Sequence, residues 1–414
     1  STVQTLAAYL DDEITAMPNL VTVGAGGTAS TVAGIPFFSA DTSSIYTTDV
    51  SGTDDTASGN SAYGYQAMDA ITTGDNNTAM GFGALGANTT GSPNVAVGRA
   101  ALAANTTAAN NVAVGDRALT TNTTGYSNTA LGDRALTANT TAHSNTAVGA
   151  DSLAANTTGS ANTAVGLSAL LANTTGARNT AIGYQAYDAS DTENDNIAIG
   201  YQAMTTNTAG GTSNIAFGNY ALDALTSGDE NIAIGLNTLG ANTTASYNIG
   251  IGTSALLTNS TGAENVAVGF SALKLNATTS QNTAVGHDAL RNNIAVQNTA
   301  VGHSALNANT TGAENVAVGY QSMLTNTTGA DNTAIGLKTL TLNTTGGSNT
   351  AVGLQALQNN TTGDGNIAVG RNAMQANTTG TRNTAIGYTA YDASDTESDN
   401  LAIGYAAMTV NTAG

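Results

Sequence analysis

The chain has no cysteine, no tryptophan and only three prolines in 414 residues. Without cysteine, neither a disulfide framework nor a thiolate metal site can form. Basic residues are nearly as scarce. Nine Lys and Arg stand against 28 Asp and Glu, giving a formal charge of −19. A nucleic-acid partner needs a basic stripe to neutralise phosphates, so none is expected. No apolar run approaches the roughly 20 residues of a membrane-spanning helix, and no membrane insertion is expected. No basic-then-apolar leader is visible. The opening Ser1-Thr2-Val3 fits either removal of an initiator Met or a trimmed chain. The close at Gly414 falls in mid-repeat, so the natural chain is expected to continue.

Low charge and 48 glycines would suit a disordered chain, but a strict period argues otherwise. The phrase N-T-A-V-G recurs in 21 versions, from Asn60 to Asn400 by its leading Asn. Of the 20 intervals, 18 are 17 residues, one is 18 (Asn196 to Asn214) and one is 16 (Asn282 to Asn298). Such a beat means one small unit stacked on itself. The unit reads N-T-A-V-G-x-x-A-L-x-x-N-T-T-G-x-x, with Asn as position 1.

Position 4 is apolar, as in Val97, Ile199 and Val301, and position 2 is mostly β-branched, as in Thr129 and Val266. Alternation places these two on one face of a short strand, expected to be the core face. Position 5 is Gly in all 21 copies, as a backbone corner with positive φ requires. Position 9, as in Leu102 and Met204, predicts a second short strand, and N-T-T-G at positions 12–15 a second turn. A helical unit fails, because two Gly corners leave no room for an amphipathic helix. The fold class is therefore all-β: a parallel β-solenoid, or β-roll, of 17-residue coils. Coils stacking at roughly 4.8 Å would make a shaft on the order of 100 Å long. Its handedness is not legible.

Position 3 is Ala in 20 of 21 copies, Gly250 being the exception. If position 4 faces the core, position 3 faces outward, where a uniformly small apolar residue implies another chain packed against it. The alternative is a tight interior corner of the same coil. The Asn columns at positions 1 and 12 read as hydrogen-bonded amide ladders. Twelve N-T-T triplets match a glycosylation acceptor, but the turn demands the same residues.

Residues 59–414 form the shaft of about 21 coils, and residues 1–58 stand outside the beat. Val3, Ala7, Leu10, Ile14 and Met17 follow heptad spacing, predicting a helix at about 3–17 that ends at Pro18. It packs either in an oligomeric cap or on its own chain. Residues 19–58 read as irregular β structure that caps the open edge or docks into a larger assembly. Residues 179–210 and 383–414 agree at 27 of 32 positions, 12 coils apart. That is the mark of a duplicated block and of an adjustable spacer.

Chemistry is hard to find. His287 and His303 share position 6 of adjacent coils, where their rings can stack, with a metal site in an oligomer as the alternative to a surface role; His143 stands apart. None has a partnered carboxylate and nucleophile, so no catalytic residue is assigned and surface roles are expected. The acidic turns 188–195 and 392–399 lack the spacing of an EF-hand and read as solvated. No metal or cofactor site is assigned, and the chain is not expected to be an enzyme.

The phrases Asn145-Thr-Ala-Val-Gly149 and Asn265-Val-Ala-Val-Gly269 resemble the head repeats of YadA-like trimeric adhesins. The resemblance covers residues 60–404, but those repeats are shorter and lack the inserted N-T-T-G turn. The longer form is similar to repeats in predicted bacteriophage tail-fibre shafts. The family implies a left-handed β-roll in each chain and three chains around an axis. The expected function is a virion fibre, a bacteriophage tail or head fibre, acting as a rigid homotrimeric spacer. It would be anchored through its N-terminal region and directed at a host-surface receptor. The alternatives are a bacterial trimeric cell-surface adhesin and an ice-binding or other surface-binding solenoid.

Overall fold

A computed structural model describes residues 30–32, 35–37, 45–46, 56–392 and 396–408. The helix expected at about 3–17 lies outside the described residues, which themselves contain only strands and turns. The chain divides into two compact units, residues 1–192 and 193–414.

In the first unit, Ser30–Val32 and Ile35–Phe37 pair antiparallel. Ile45–Tyr46 pairs in parallel with Ser61–Tyr63, and each later strand pairs in parallel with the next coil's, up to Thr180–Ile182. The second unit repeats this from Ile197–Ile199 to Leu401–Ile403. Register is position for position: Thr163, Ala164 and Val165 oppose Thr180, Ala181 and Ile182. Both units are parallel β-solenoids with the expected 17-residue coil.

The orientation of the strand is the reverse of the sequence expectation. Ala164 and Ala334 at position 3 are fully buried within their own chain. Position 4 faces outward, with Ile335 41% and Phe217 52% exposed. The reason is volume. The coil interior is narrow, and Ala at positions 3 and 8 with one large residue at position 9 fill it; Ala169 and Leu170 are buried in this way. Val or Ile pointing inward from position 4 would overpack it. The inter-chain reading of position 3 is thereby replaced by the interior one.

Among the described residues the second strand is also absent. Positions 6–11 form a run of tight turns, because positions 7 and 9 are both left-handed: φ is 54° at Gln321 and 50° at Met323. An extended strand excludes that conformation. The run still bonds to the neighbouring coil, with Met323 N donating to Thr339 O at 2.9 Å and Thr325 N to Thr341 O at 3.1 Å. The corner glycine is required twice over. Gly166 has φ 135°, and a Cβ there would collide with the carbonyl of Gly183 on the next coil.

The amide ladders are present and explain the spacing of the repeat. Asn315 Oδ1 accepts from the backbone N of Asn332 at 3.0 Å, and its Nδ2 donates to Gly329 O at 2.9 Å. Asn326, at position 12, donates to Asn309 Oδ1 at 2.8 Å and also to Gly329 O at 2.9 Å. Both ladders thus converge on one carbonyl, that of position 15, and clamp the turn from inside. The two irregular intervals preserve this clamp. In the 18-residue interval the extra residue enters the turn, and Gly211 O still receives Asn196 and Asn207. In the 16-residue interval Ala295 O receives Asn282 and Asn293.

Candidate functional site: the outer face of the coil

Because Ala takes the interior, β-branched and aromatic side chains line the outside. Position 4 presents Leu131 and Ile182 in the first unit and Phe217, Ile234, Ile335 and Ile386 in the second, all exposed. Position 6, just past the glycine corner, adds Tyr65, Phe82 and Leu167, then Phe270, Tyr320 and Leu337. Parallel register turns each position into a column. Tyr65 and Phe82 stack at 5.7 Å, and Tyr388 and Tyr405 at 5.5 Å. A continuous series runs Phe270, His287, His303, Tyr320 with centroid spacings of 5.0, 5.0 and 5.4 Å. From sequence, position 6 stood out only for His287 and His303. Its signal was there, in aromatic and aliphatic residues recurring where solvated positions should be polar.

The column is interrupted by charge in the first unit. There Arg99 meets Asp116 at 2.7 Å; beside the column, at position 7, Arg134 meets Asp151 at 2.7 Å, and each pair spans adjacent coils. Hydrogen bonding from Arg99, helped by Arg117, holds the Asp116 carboxyl below the usual carboxylate range. These groups are exposed, and such pairs contribute little to stability.

The residues weighed as chemical candidates stay apart. His143 stacks on Tyr126 at 4.8 Å, away from the position 6 column. In the first acidic turn burial pushes the Asp188 carboxyl up, against opposing backbone hydrogen bonds. Glu193 takes position 15 and accepts from Gly210 N at 3.1 Å. Part of 392–399 lies outside the described residues. Among the described residues no group of three or more His, Asp or Glu is placed to hold a metal ion. The N-T-T asparagines are buried with Nδ2 engaged, as Asn326 shows, so the folded coil offers no glycan acceptor there.

Compared with known proteins, the chain matches no protein-family profile and no curated protein.

Proposed function

We propose that the chain is a non-catalytic fibre shaft that assembles with copies of itself into a homotrimer and acts as a rigid spacer in a virion attachment fibre. One observation carries this reading. The core of each coil is complete within one chain, yet within each unit an apolar position 4 column remains outside it, as at Leu131 and Ile182 in the first and at Phe217, Ile234, Ile335 and Ile386 in the second. Contiguous apolar surface of this kind marks an interface on a soluble protein. A copy of the same chain offers the same columns at the same pitch, and closed rotational symmetry covers them on every copy. The N-terminal region is the proposed docking end, and a host surface the proposed target.

The N-T-A-V-G phrase favours a second reading, a trimeric adhesin on a bacterial surface. A signal peptide and membrane anchor in the full-length gene would decide for it. The ice-binding reading gains nothing from the position 13 threonine column. Position 13 hydroxyls donate within the stack, as Thr327 Oγ1 does to Thr344 O at 3.0 Å.

The test is mass in solution by light scattering. The wild type should measure three times the chain mass of 40.9 kDa. Glutamate at Ile234, Ile335 and Ile386 together should give a monomer with an unchanged circular dichroism spectrum. A wild-type monomer would sink the proposal.

A further inference from the structure

Two of the three histidines stand on successive coils of the position 6 column. The rings of His287 and His303 are 5.0 Å apart and within 5° of parallel. Both are exposed, and Phe270 and Tyr320 close the stack at its two ends. The Nδ1 of each ring is tied to the residue that follows it. His287 Nδ1 lies 3.1 Å from Asp288 Oδ2, and His303 Nδ1 lies 2.9 Å from Ser304 Oγ. Parallel rings held by the same nitrogen present the other nitrogen, Nε2, in the same direction. At His287 an Nδ1–H donated to the carboxylate fixes the tautomer with its lone pair on Nε2, the arrangement found behind metal-ligating imidazoles. Asp288 is steadied in turn by Arg291, 3.7 Å away.

We propose that His287 and His303 form a two-imidazole site for a late first-row divalent cation such as Ni²⁺, Cu²⁺ or Zn²⁺, with Asp288 as a positioning residue. Imidazole suits these ions, and water fills their remaining coordination positions. With metal–nitrogen bonds of about 2.0–2.1 Å, two imidazoles in adjacent coordination positions hold their nitrogens about 3 Å apart. The exposed rings therefore turn out of their 5.0 Å parallel stack on binding, so that both Nε2 lone pairs reach one ion. Hard cations such as Ca²⁺ and Mg²⁺ are excluded, because they take oxygen ligands. The site stands on a single chain and does not depend on the trimer proposed above.

Isothermal titration of the full chain with NiCl₂ and with CuCl₂ tests it. One ion should bind per chain. His287→Ala and His303→Ala should each weaken binding at least about tenfold, and Asp288→Asn by about 10–100-fold. His143→Ala should change nothing, and CaCl₂ should not compete. Failure of the wild type to bind would overturn the site. So would equal binding by the variants, which would assign the ion to the acidic surface. Loss in only one of the two histidine variants would reduce it to a lone surface imidazole, and the pair would fall. Solution mass is read separately, so a failed trimer and a failed metal site remain distinguishable.

Discussion

Alanine and valine differ by two methyl groups, and that difference decides which way the strand faces. Alternation places positions 2 and 4 on one side and position 3 on the other, but it does not say which side is inside. Hydrophobicity alone favours valine inside; the available volume favours alanine. Ala317, Ser322 and Met323 occupy the interior of one coil, while Tyr320 stays outside. An acidic group in this setting is a burden. Burial pushes the carboxyl of Asp223 up, against hydrogen bonds from the backbone of Asp223 and Ala224. A carboxyl that holds its proton more tightly when folded favours folding at low pH, and that contribution is lost as pH rises through the folded pKa. Asp223→Asn should therefore raise the denaturation midpoint at about pH 7. The gain should vanish near pH 3, where the aspartate is protonated in both states. An equal gain at both pH values would mean that charge is not the cause.

At the scale of the coil, the organising device is the carbonyl at position 15 with its two amide donors. It explains why the insertion and the deletion both fall in the turn and leave the strands in register. It also predicts an asymmetry among substitutions. Asn326→Ala removes the donor to Asn309 Oδ1 and the acceptor for Asn343 Nδ2 at 2.7 Å. Each buried group left unpaired costs about 1–3 kcal/mol. Asn326→Leu should cost less than alanine, because it refills the space. Leu225 already occupies position 12 fully buried. Hydrogen exchange at the amides of Thr310 and Thr327, which bond to the carbonyls of Thr327 and Thr344 on the next coils, measures this locally. Protection in the alanine variant equal to wild type would remove the ladder from the account of stability. Much of this element was legible in the sequence. The ladders, the glycine corner and the 17-residue pitch all follow from residue type and spacing. The absence of a second strand was not, because position 7, left-handed at Gln321, has no consensus residue, and position 9, left-handed at Met323, carries the large apolar residue a strand would also carry. The orientation of the strand was not, because periodicity carries no information on the width of the cavity. The apolar character of position 6 was overlooked, beyond its two histidines, because the position has no single consensus residue, only a recurrent class.

At the scale of the whole molecule, stability in such a stack is a sum of similar coil and interface terms. A coil is therefore a removable unit, provided it is removed whole. Deleting 315–331 from the second unit brings the coil at Asn298 directly under the coil at Asn332. Every inward contact then finds its equivalent. Asn332 N can donate to Asn298 Oδ1, as Asn315 N does at 3.0 Å, and Asn343 Nδ2 to Asn309 Oδ1, as Asn326 Nδ2 does at 2.8 Å. Ala300 meets Ala334, two residues already buried in the same way. Outside, His303 exchanges Tyr320 for Leu337, which changes the surface column and leaves the core alone. The shortened chain should keep its per-residue circular dichroism and its denaturation midpoint within the range of a conservative substitution. Deleting only 315–322 removes a strand and its glycine corner and leaves Asn326 with no coil beneath it in phase. That variant should lose protection across several flanking coils and expose apolar surface. If the two deletions behave alike, the 17-residue coil is not the unit in which this fold is built. If only the whole-coil deletion folds, the number of coils can vary while the cross-section stays fixed, as a spacer of adjustable length requires.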